Sequence, residues 1–467
     1  MSNSSSSSSL GTGVLNHMSF RNTPILPNGY STSEWVNGET LFAKDDNPLG
    51  SGEIFAFMWS DKSSDTNLYL ISSSDNGQSW RYVTSHSTPA YQVQAMTQDA
   101  SGRVHAISAS SGTDSGTYLR ISLSYTNKLI SNFTITNSVA LPNHGRTGDQ
   151  LRADIKIVRN SSGASVLMYE VNMATIAVRP VVDIKAYMAY STTLTPSSGS
   201  DFKKMDGSGS GDSLVFDSCT YDNGSYCAGG GSVGTFSNHI HTALFAQNAQ
   251  SKDIYLFQGP IDADWGISYG GAADWITYTR MSTTANGWTV PSPATGTGTV
   301  TTNVDTTPGL SYAPGLFAVY SGSNYAWVMF NDSKNGIRFG RFDSSGVYSE
   351  KASPETAKDR NGWGVFTVGA DDTKIWAVWY TLDATCLQSS TKIACGSPVV
   401  EQAYSDGSKW TVFPDPIVSD IYSITATSAL GMAGVSGWNT GVAALLLNGH
   451  GAVNAPEQPI AATIWSN

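Results

Sequence analysis

Short apolar runs alternate with polar, glycine-rich turns along almost the whole chain. Runs such as 54–59, 104–107 and 326–330 are rich in Val, Ile, Phe and Trp, and turn residues follow each of them. No segment shows the 3.6-residue spacing of an amphipathic helix of about three turns or more. The pattern therefore predicts an all-β protein built from short strands.

The apolar runs recur in units of about 40–50 residues, the repeat length that is typical of the blades of a β-propeller. We predict a single β-propeller over residues 14–467, with four-stranded antiparallel blades and with seven blades rather than six. A six-bladed alternative would use residues 424–467 for ring closure. The predicted innermost strands of the seven units are 21–26, 91–96, 151–157, 238–244, 311–317, 363–366 and 429–432.

The two ends of the predicted propeller are expected to meet. The last apolar run, 462–465, should pair near residues 14–15, because pairing there removes free sheet edges. Residues 1–13 (MSNSSSSSSLGTG) have no apolar core, which predicts a flexible Ser/Gly leader or a cloning scar. The Gly/Ser-rich segment 193–235 is predicted to be a long loop between two blades and a candidate lid.

One turn carries a specific pattern, Ser-x-Asp-x-Gly-x-x-Trp, between the predicted strands 67–71 and 81–84. Ser73 and Asp75 are suited to accept hydrogen bonds from backbone N–H groups just ahead of them. Gly77 supplies a positive φ, and Trp80 is expected to bury its ring beneath the turn. The pattern predicts a self-locking β-hairpin, and weaker copies occur at 281–288 and 405–410.

The charge composition of the chain argues against one class of ligand, the nucleic acids. The chain has 26 Lys and Arg against 37 Asp and Glu, a formal net charge of −11, and no basic run. Nucleic-acid binding requires a cationic face, so we predict no nucleic-acid partner. No run of about 18 apolar residues is present, so we also predict no membrane span.

The four cysteines fall into two close pairs, Cys219 with Cys227 and Cys386 with Cys395, each in a predicted loop or hairpin tip. Two local disulfides are the favoured interpretation, since neither pair has the spacing or the nearby His of a zinc site. Disulfides indicate an oxidising compartment. We therefore predict a secreted or extracellular protein, with a virion or phage-tail component as the alternative.

The inner strands of a propeller converge on a central channel, so polar residues near their starts are the candidate site. His239 and His241 lie two apart and share a strand face, as do Arg152 and Asp154. The two histidines lack an obvious third ligand, so no metal and no cofactor is predicted. The candidates are Arg21, Gln94, Arg152, Asp154, His239, His241, Tyr312, Arg360 and Trp363.

The turn at 73–80 resembles the Asp box, the repeat motif of sialidase-like β-propellers. Phe20-Arg21-Asn22-Thr23-Pro24 is similar to the Phe/Tyr-Arg-Ile-Pro motif of that family, with one extra residue. The resemblance implies that Arg21 binds a substrate carboxylate and that Asp65, or alternatively Asp61, is the acid/base. Tyr169 with Glu170, and Tyr312, are candidates for the family's nucleophile.

Three functions remain open, all with an oligosaccharide or polysaccharide as the partner. The first is a sialidase-like glycoside hydrolase that uses Arg21 and Asp65. The second is a lyase for uronate-containing polysaccharides that uses His239, His241, Tyr312 and Arg152, in which Arg neutralises the carboxylate and His or Tyr moves the proton. The third is a non-catalytic lectin or adhesin.

Overall fold

The structure is a computed structural model that describes about three fifths of the chain. The described residues are 14–16, 35–36, 42–45, 47–60, 65–74, 81–109, 116–144, 150–175, 183–217, 242–259, 276–292, 297–301, 317–332, 336–351, 354, 361–369, 372–381, 387–389, 392–394, 399–412, 417–418, 431–435, 444–448 and 460–466.

The first three sheets are antiparallel, and the first strand of the chain, β1 (Val14–Asn16), belongs to the last sheet instead. Sheet 1 contains β2 (Trp35–Val36), β3 (Phe42–Lys44), β4 (Ile54–Ser60), β5 (Asn67–Ser73) and β6 (Arg81–Ser87). Sheet 2 contains β7 (Gln92–Gln98), β8 (Arg103–Ala109), β9 (Gly116–Thr126) and β10 (Leu129–Ala140). Sheet 3 contains β11 (Gln150–Arg159), β12 (Ser165–Thr175), β13 (Asp183–Ser191), β14 (Lys203–Lys204) and β15 (Ser213–Asp217).

The remaining four sheets are antiparallel as well, and two small hairpins accompany them. Sheet 4 contains β16 (Thr242–Gln247), β17 (Ile254–Gly259), β18 (Ile276–Met281) and β21 (Thr297–Thr301), with the hairpin β19 (Thr283–Thr284) and β20 (Gly287–Trp288). Sheet 5 contains β22 (Phe317–Ser321), β23 (Ala326–Asp332), β24 (Gly336–Phe342) and β25 (Tyr348–Lys351). Sheet 6 contains β26 (Asn361–Val368), β27 (Ile375–Thr381), β30 (Val399–Ser405), β31 (Trp410–Val412) and β32 (Ile417–Val418), with the hairpin β28 (Leu387–Ser389) and β29 (Lys392–Ala394). Sheet 7 contains β33 (Gly431–Val435), β34 (Ala444–Asn448), β35 (Ile460–Ser466) and β1.

These sheets form a β-propeller, as predicted. The inner strands contact one another in chain order through β3, β7, β11, β16, β22, β26 and β33, and β33 in turn contacts β3. The described residues thus hold seven sheets in a ring, while the blade count of the whole chain stays a prediction. The expected closure is confirmed, because Leu15 of β1 lies opposite Trp465 of β35.

Both faces of the sheets are apolar, which explains the short apolar runs in the sequence. Along β7, for example, Val93 and Met96 pack into the cluster shared with sheet 1, and Ala95 packs into the cluster shared with sheet 3. Similar clusters join sheets 3 and 4, sheets 4 and 5, and sheets 5 and 6. Sheets 2 to 5 are therefore each held by apolar contacts with two neighbours.

Polar side chains add specific links between neighbouring sheets. Gln247 of sheet 4 accepts from the N–H of Arg159 at 2.7 Å and donates to its carbonyl at 2.7 Å. Asn248 donates to the carbonyl of Asn324 at 2.7 Å and so joins sheet 4 to sheet 5. Satisfied amides of this kind fix how two apolar faces align. Comparable links are made by Glu53 with the N–H of Ile130 and by Asp372 with Trp327.

The two faces of the ring differ. The turn face carries the turns from the first to the second strand and from the third to the fourth strand of a sheet, such as 160–164, 343–347 and 406–409. The mouth face is the opposite one, where the chain passes from one sheet to the next, as it does between β10 and β11.

The predicted hairpin at 67–84 is confirmed, since β5 pairs with β6 and Ser72 lies opposite Arg81. Residues 75–80 of its turn lie outside the described residues. Each weaker copy shows one of the expected features: Trp288 is fully buried in the first, and in the second Asp406 accepts from the backbone N–H groups of Ser408 and Lys409, both at 2.9 Å, while Trp410 is only partly buried. These hydrogen bonds lower the pKa of Asp406 to about 2.

The sequence analysis missed a further turn of this type. Asp343 accepts from the backbone N–H groups of Ser345 and Val347, both at 2.9 Å, and Gly346 has a φ of 87°. Its sequence, Asp-Ser-Ser-Gly-Val, has no Trp at the position that identified the other copies. The Asp and the Gly are thus sufficient for this turn.

The expectation of one long loop over 193–235 is wrong for its first half. Residues 199–201 form a 3-10 turn, and β14 and β15 pair with β13 of sheet 3. Phe202, Met205 and Phe216 are fully buried, so apolar side chains spaced among Gly and Ser hold this segment on the sheet. Residues 218–235, and with them Cys219 and Cys227, lie outside the described residues, as do Cys386 and Cys395. Among the residues described here, no helix is long and apolar enough to cross a membrane.

A buried polar triad in sheet 2 makes the stability of the fold dependent on pH. His105 is fully buried, with Nδ1 at 2.8 Å from the hydroxyl of Tyr118 and Nε2 at 3.2 Å from Asp99. Burial lowers the pKa of His105, even though Asp99 opposes the shift. Burial raises the pKa of Asp99, but hydrogen bonds from His105 and Arg103 outweigh burial and lower it to about 2.

We expect the free energy of unfolding to fall as the pH is lowered from 7 to 5. The unfolded chain protonates His105 near its ordinary pKa of 6.5, and the folded chain does so only at lower pH. His105 accounts for a slope of at most about 1.4 kcal/mol per pH unit, which urea denaturation at several pH values will measure. His105→Gln should flatten the slope, whereas His86→Gln, at an exposed position, should leave it unchanged. An unchanged slope in His105→Gln would contradict this assignment.

Candidate functional site

Sheet 3 brings two carboxylates together at the inner part of the ring. In the pairing of β11 with β12, Asp154 lies directly opposite Glu170, and Arg152 lies opposite Asn172. Directly opposed residues of an antiparallel pair have Cβ atoms about 4.5–5.5 Å apart and point to the same face. The predicted candidate Asp154 thus shares a strand face with Glu170, and the backbone of Arg152 lies two residues earlier on β11.

Asp154 faces sheet 4 and contacts it. Its Oδ2 accepts from the backbone N–H of Phe245 at 3.1 Å and forms an ion pair with the Nζ of Lys156, which lies 4.6 Å from the centre of the Phe245 ring. Asp154 is fully buried, and its Oδ1 has no hydrogen-bond partner in the part of the chain that the structure describes. Oδ2 of Asp154 therefore links sheet 3 to sheet 4, whereas Oδ1 makes no hydrogen bond to the described residues.

Glu170 lies beside Asp154 in the same gap between sheets 3 and 4. It is fully buried, and its Oε2 accepts from the Nδ2 of Asn172 at 3.3 Å. Two carboxylates side by side in a buried gap are costly unless their charge is compensated. Lys156 supplies a positive charge beside Asp154. Such arrangements concentrate at functional sites.

Gln94 lies on the neighbouring inner strand β7. The pairing of β7 with β8 shifts between Val93 and Ala95, so Gln94 is the extra residue of a β-bulge. Its side chain is 3% exposed, and its Nε2 lies 3.4 Å from the carbonyl of Gln92. Bulges often redirect a side chain near a site. The expected position of Gln94 on an inner strand is therefore observed, with its side chain turned away from solvent.

Asp65 lies at the mouth end of sheet 1, where β5 begins. Its Oδ1 accepts from the backbone N–H of Asn67 at 3.1 Å and from the Nδ2 of Asn67 at 2.8 Å. Its Oδ2 accepts from the hydroxyl of the buried Tyr69 at 2.8 Å. The carboxylate is partly exposed and held in a fixed orientation by the start of the strand.

The structure describes the side chains of only some of the predicted site residues. Arg152 and Trp363 lie on β11 and β26, and only their backbone is described. The residues Arg21, His239, His241, Tyr312 and Arg360 lie outside the described part of the chain.

A histidine that the sequence analysis did not select lies between sheets 2 and 3. His144 Nε2 lies 3.1 Å from Oδ2 of Asp212, and the hydroxyl of Tyr169 lies 3.5 Å from the same oxygen. The ring of His144 stacks on Tyr187 at 3.7 Å. His144 and Asp212 are 68 positions apart, so no local motif reveals the pair. No group of three or more potential metal ligands occurs among the described residues.

Comparisons with known proteins give distant similarities of structure only. No protein-family model matches the sequence, and no curated protein matches it. The GH93 α-L-arabinofuranosidase of Fusarium graminearum, solved with arabinobiose, has 10% identity and a TM-score of 0.42, over 79% of this chain and 93% of that chain. The polysaccharide lyase Uly1 has 11% identity and a TM-score of 0.42, over 98% of both chains. The SapL1 lectin, solved with α-methyl fucoside, has 10% identity and a TM-score of 0.36, over 79% of this chain and 96% of that chain.

The role of Asp154 in joining the sheets can be tested by its removal. Asp154→Ala should lower the free energy of unfolding by about 3–5 kcal/mol, because Lys156 and the N–H of Phe245 lose their partner in a buried gap. Urea denaturation followed by tryptophan fluorescence measures the change. Glu350→Ala is the control, since it breaks a more exposed ion pair with Arg338 and should cost about 1 kcal/mol or less. Equal costs for the two variants would contradict the assignment.

Proposed function

We propose that this propeller is a glycoside hydrolase whose paired carboxylates are Asp154 and Glu170. The observation that carries the proposal is their direct opposition on β11 and β12. Retaining glycosidases hold two carboxyl groups about 5–5.5 Å apart. Directly opposed strand residues share a face and have Cβ atoms about 4.5–5.5 Å apart, so their carboxyl groups can reach such a separation.

The surroundings of the two groups suit different roles. Asp154 has an ammonium and an N–H on Oδ2, while Oδ1 lacks a partner among the described residues and is available to attack the anomeric carbon. Glu170 contacts the neutral amide of Asn172 and is placed to protonate the leaving oxygen and then to activate water. Arg152, two residues earlier on β11, is a candidate anchor for a carboxylate on the sugar.

A sialidase-like hydrolase is an alternative form of the proposal, which uses other residues than the Asp154–Glu170 pair. In that form Arg21 binds the substrate carboxylate and Asp65 acts as the acid, at the mouth end of sheet 1. A fluorogenic sialoside assay with Arg21→Ala and Asp65→Asn tests it, and absence of turnover by the unaltered protein would exclude it. An extracellular setting, either secreted or on a virion, belongs to the same proposal.

Burial favours a second candidate, a non-catalytic lectin. Asp154 and Glu170 are both fully buried, so a sugar can reach them only if the gap between sheets 3 and 4 opens. In a lectin the same pair would serve the link between the sheets alone. Glycan-array binding without any product would support the lectin and exclude the hydrolase.

Glu170→Gln should reduce turnover of a cleaved glycoside by about 10²–10⁴-fold, because the amide cannot transfer the proton. The substrate is first found with a panel of nitrophenyl glycosides and plant and animal polysaccharides. Glu350→Gln, on the outer strand of sheet 5, is the matched control and should keep full activity. NMR of the first product should show retained anomeric configuration. Inversion, or full activity in Glu170→Gln, would refute the proposed pair.

A further inference from the structure

A cleft on the turn face, between sheets 5 and 6, has the features of a binding site. Its volume is about 440 Å³, and its walls include Tyr325, Arg341, Lys351, Asp372 and Asp406. These residues come from the turns that follow β22, β26 and β30 and from strands β24 and β25. The cleft therefore belongs to other sheets than the Asp154–Glu170 pair and does not share any residue with it.

Two cations in this cleft make no direct ion pair with the residues that the structure describes. The guanidinium of Arg341 lies 4.0 Å from the centre of the Tyr325 ring and 5.2 Å from that of Trp327, and its Nε donates to the Oγ of Ser349 at 3.2 Å. Burial lowers the pKa of Lys351, and the positive charge of Arg341 lowers it further. Neither side chain forms an ion pair within the described part of the chain. The two cations thus share a partly buried space in which Arg341 interacts with Asp372 only through its charge, without a direct ion pair among the described residues.

The two carboxylates of the cleft are already engaged. Asp372 is 2% exposed, with Oδ1 accepting from Trp327 Nε1 at 3.1 Å and Oδ2 from the backbone N–H of Asn324. Asp406 accepts from the N–H groups of Ser408 and Lys409 within its own turn. Both therefore stabilise the walls of the cleft, and neither contacts Arg341 or Lys351 as an ion-pair partner.

The guanidinium is presented as a fixed donor. Stacking on Tyr325 and the bond from Nε to Ser349 hold its plane, and the two terminal nitrogens donate no hydrogen bond within the described residues. A guanidinium held in this way binds a carboxylate through two parallel hydrogen bonds. Ser408 adds a hydroxyl group to the walls; it donates to Oδ1 of Asp406 at 2.7 Å, and its oxygen can still accept from a hydroxyl group of a sugar.

We propose that this cleft is a second carbohydrate site, which binds a sugar that carries a carboxylate, such as a uronic acid. Arg341 binds the carboxylate, Lys351 contributes the second positive charge, and the hydroxyl group of Ser408 contacts the sugar. The site does not require the chain to be a hydrolase. On a polymeric ligand it would add a second point of attachment and so raise the overall affinity without any change in the first site.

Titration of the full chain with sodium glucuronate, followed by calorimetry or NMR, tests the proposal. We expect saturable binding that weakens about tenfold or more in Arg341→Met and in Lys351→Met, and also in Arg341→Lys, which keeps the charge and loses the fork. Lys203→Met, an exposed lysine on β14, is the matched control and should bind as the unaltered protein does. Near-ultraviolet circular dichroism verifies that each variant is folded.

Three results would overturn the proposal. One is equal binding of glucuronate by the Arg341 and Lys351 variants and the unaltered protein. Another is equal binding of methyl glucoside, which would remove the role of the carboxylate. The last is equal binding of inorganic sulfate or acetate, which would show an anion site without sugar recognition. Turnover of a small glycoside, if present, should be unchanged in Arg341→Met, so the failure of this site and the failure of the proposed hydrolase are separate outcomes.

Discussion

The burial of both faces of each sheet is the constraint on which the rest of this structure depends. A propeller sheet packs against two neighbours, so the residues that alternate along a strand such as β7 enter two different apolar clusters. Apolar packing of this kind is strong but has little direction. The buried amides and carboxylates supply the direction, since Gln247, Asn248 and Asp372 each have a defined partner on the next sheet. Apolar packing thus holds neighbouring sheets together, and the polar links fix how the sheets are aligned.

The same constraint explains how much of the fold was readable from the sequence. Apolar runs at regular spacing predict strands and their grouping, and an Asp followed by Gly predicts the turn, because both signals are local. The hairpin at 67–84 and the meeting of the two chain ends followed from them. The segment 193–217 was misread because its buried residues, Phe202, Met205 and Phe216, are isolated among Gly and Ser. Its place on sheet 3 comes from pairing with β13, which no local pattern announces.

The candidate site was only partly predictable, for a related reason. Asp154 and Arg152 were selected as polar residues on an inner strand, and that placement is correct for the backbone of both. The partner of Asp154 on sheet 4 is the backbone N–H of Phe245, 91 positions away. Because almost every residue type has a backbone N–H, the sequence does not indicate this partner. The opposition of Asp154 and Glu170 depends on the register of β11 and β12, which a shift by one residue would destroy.

The pairing of β1 with β35 has a consequence for the order of events during synthesis. The last sheet pairs β1 with β35, which are more than 400 residues apart, so it cannot be completed until residues 460–466 have left the ribosome. Six sheets can form earlier, and during that interval β33 and β3 lack the contact that they make with each other in the finished ring. The entropy of closing so long a loop grows only slowly with length, by about 0.6 kcal/mol per doubling. The length of the loop therefore adds little to the free energy cost of closure, although closure comes late. Until it takes place, the unpaired sheet edges of the open ring are exposed to aggregation.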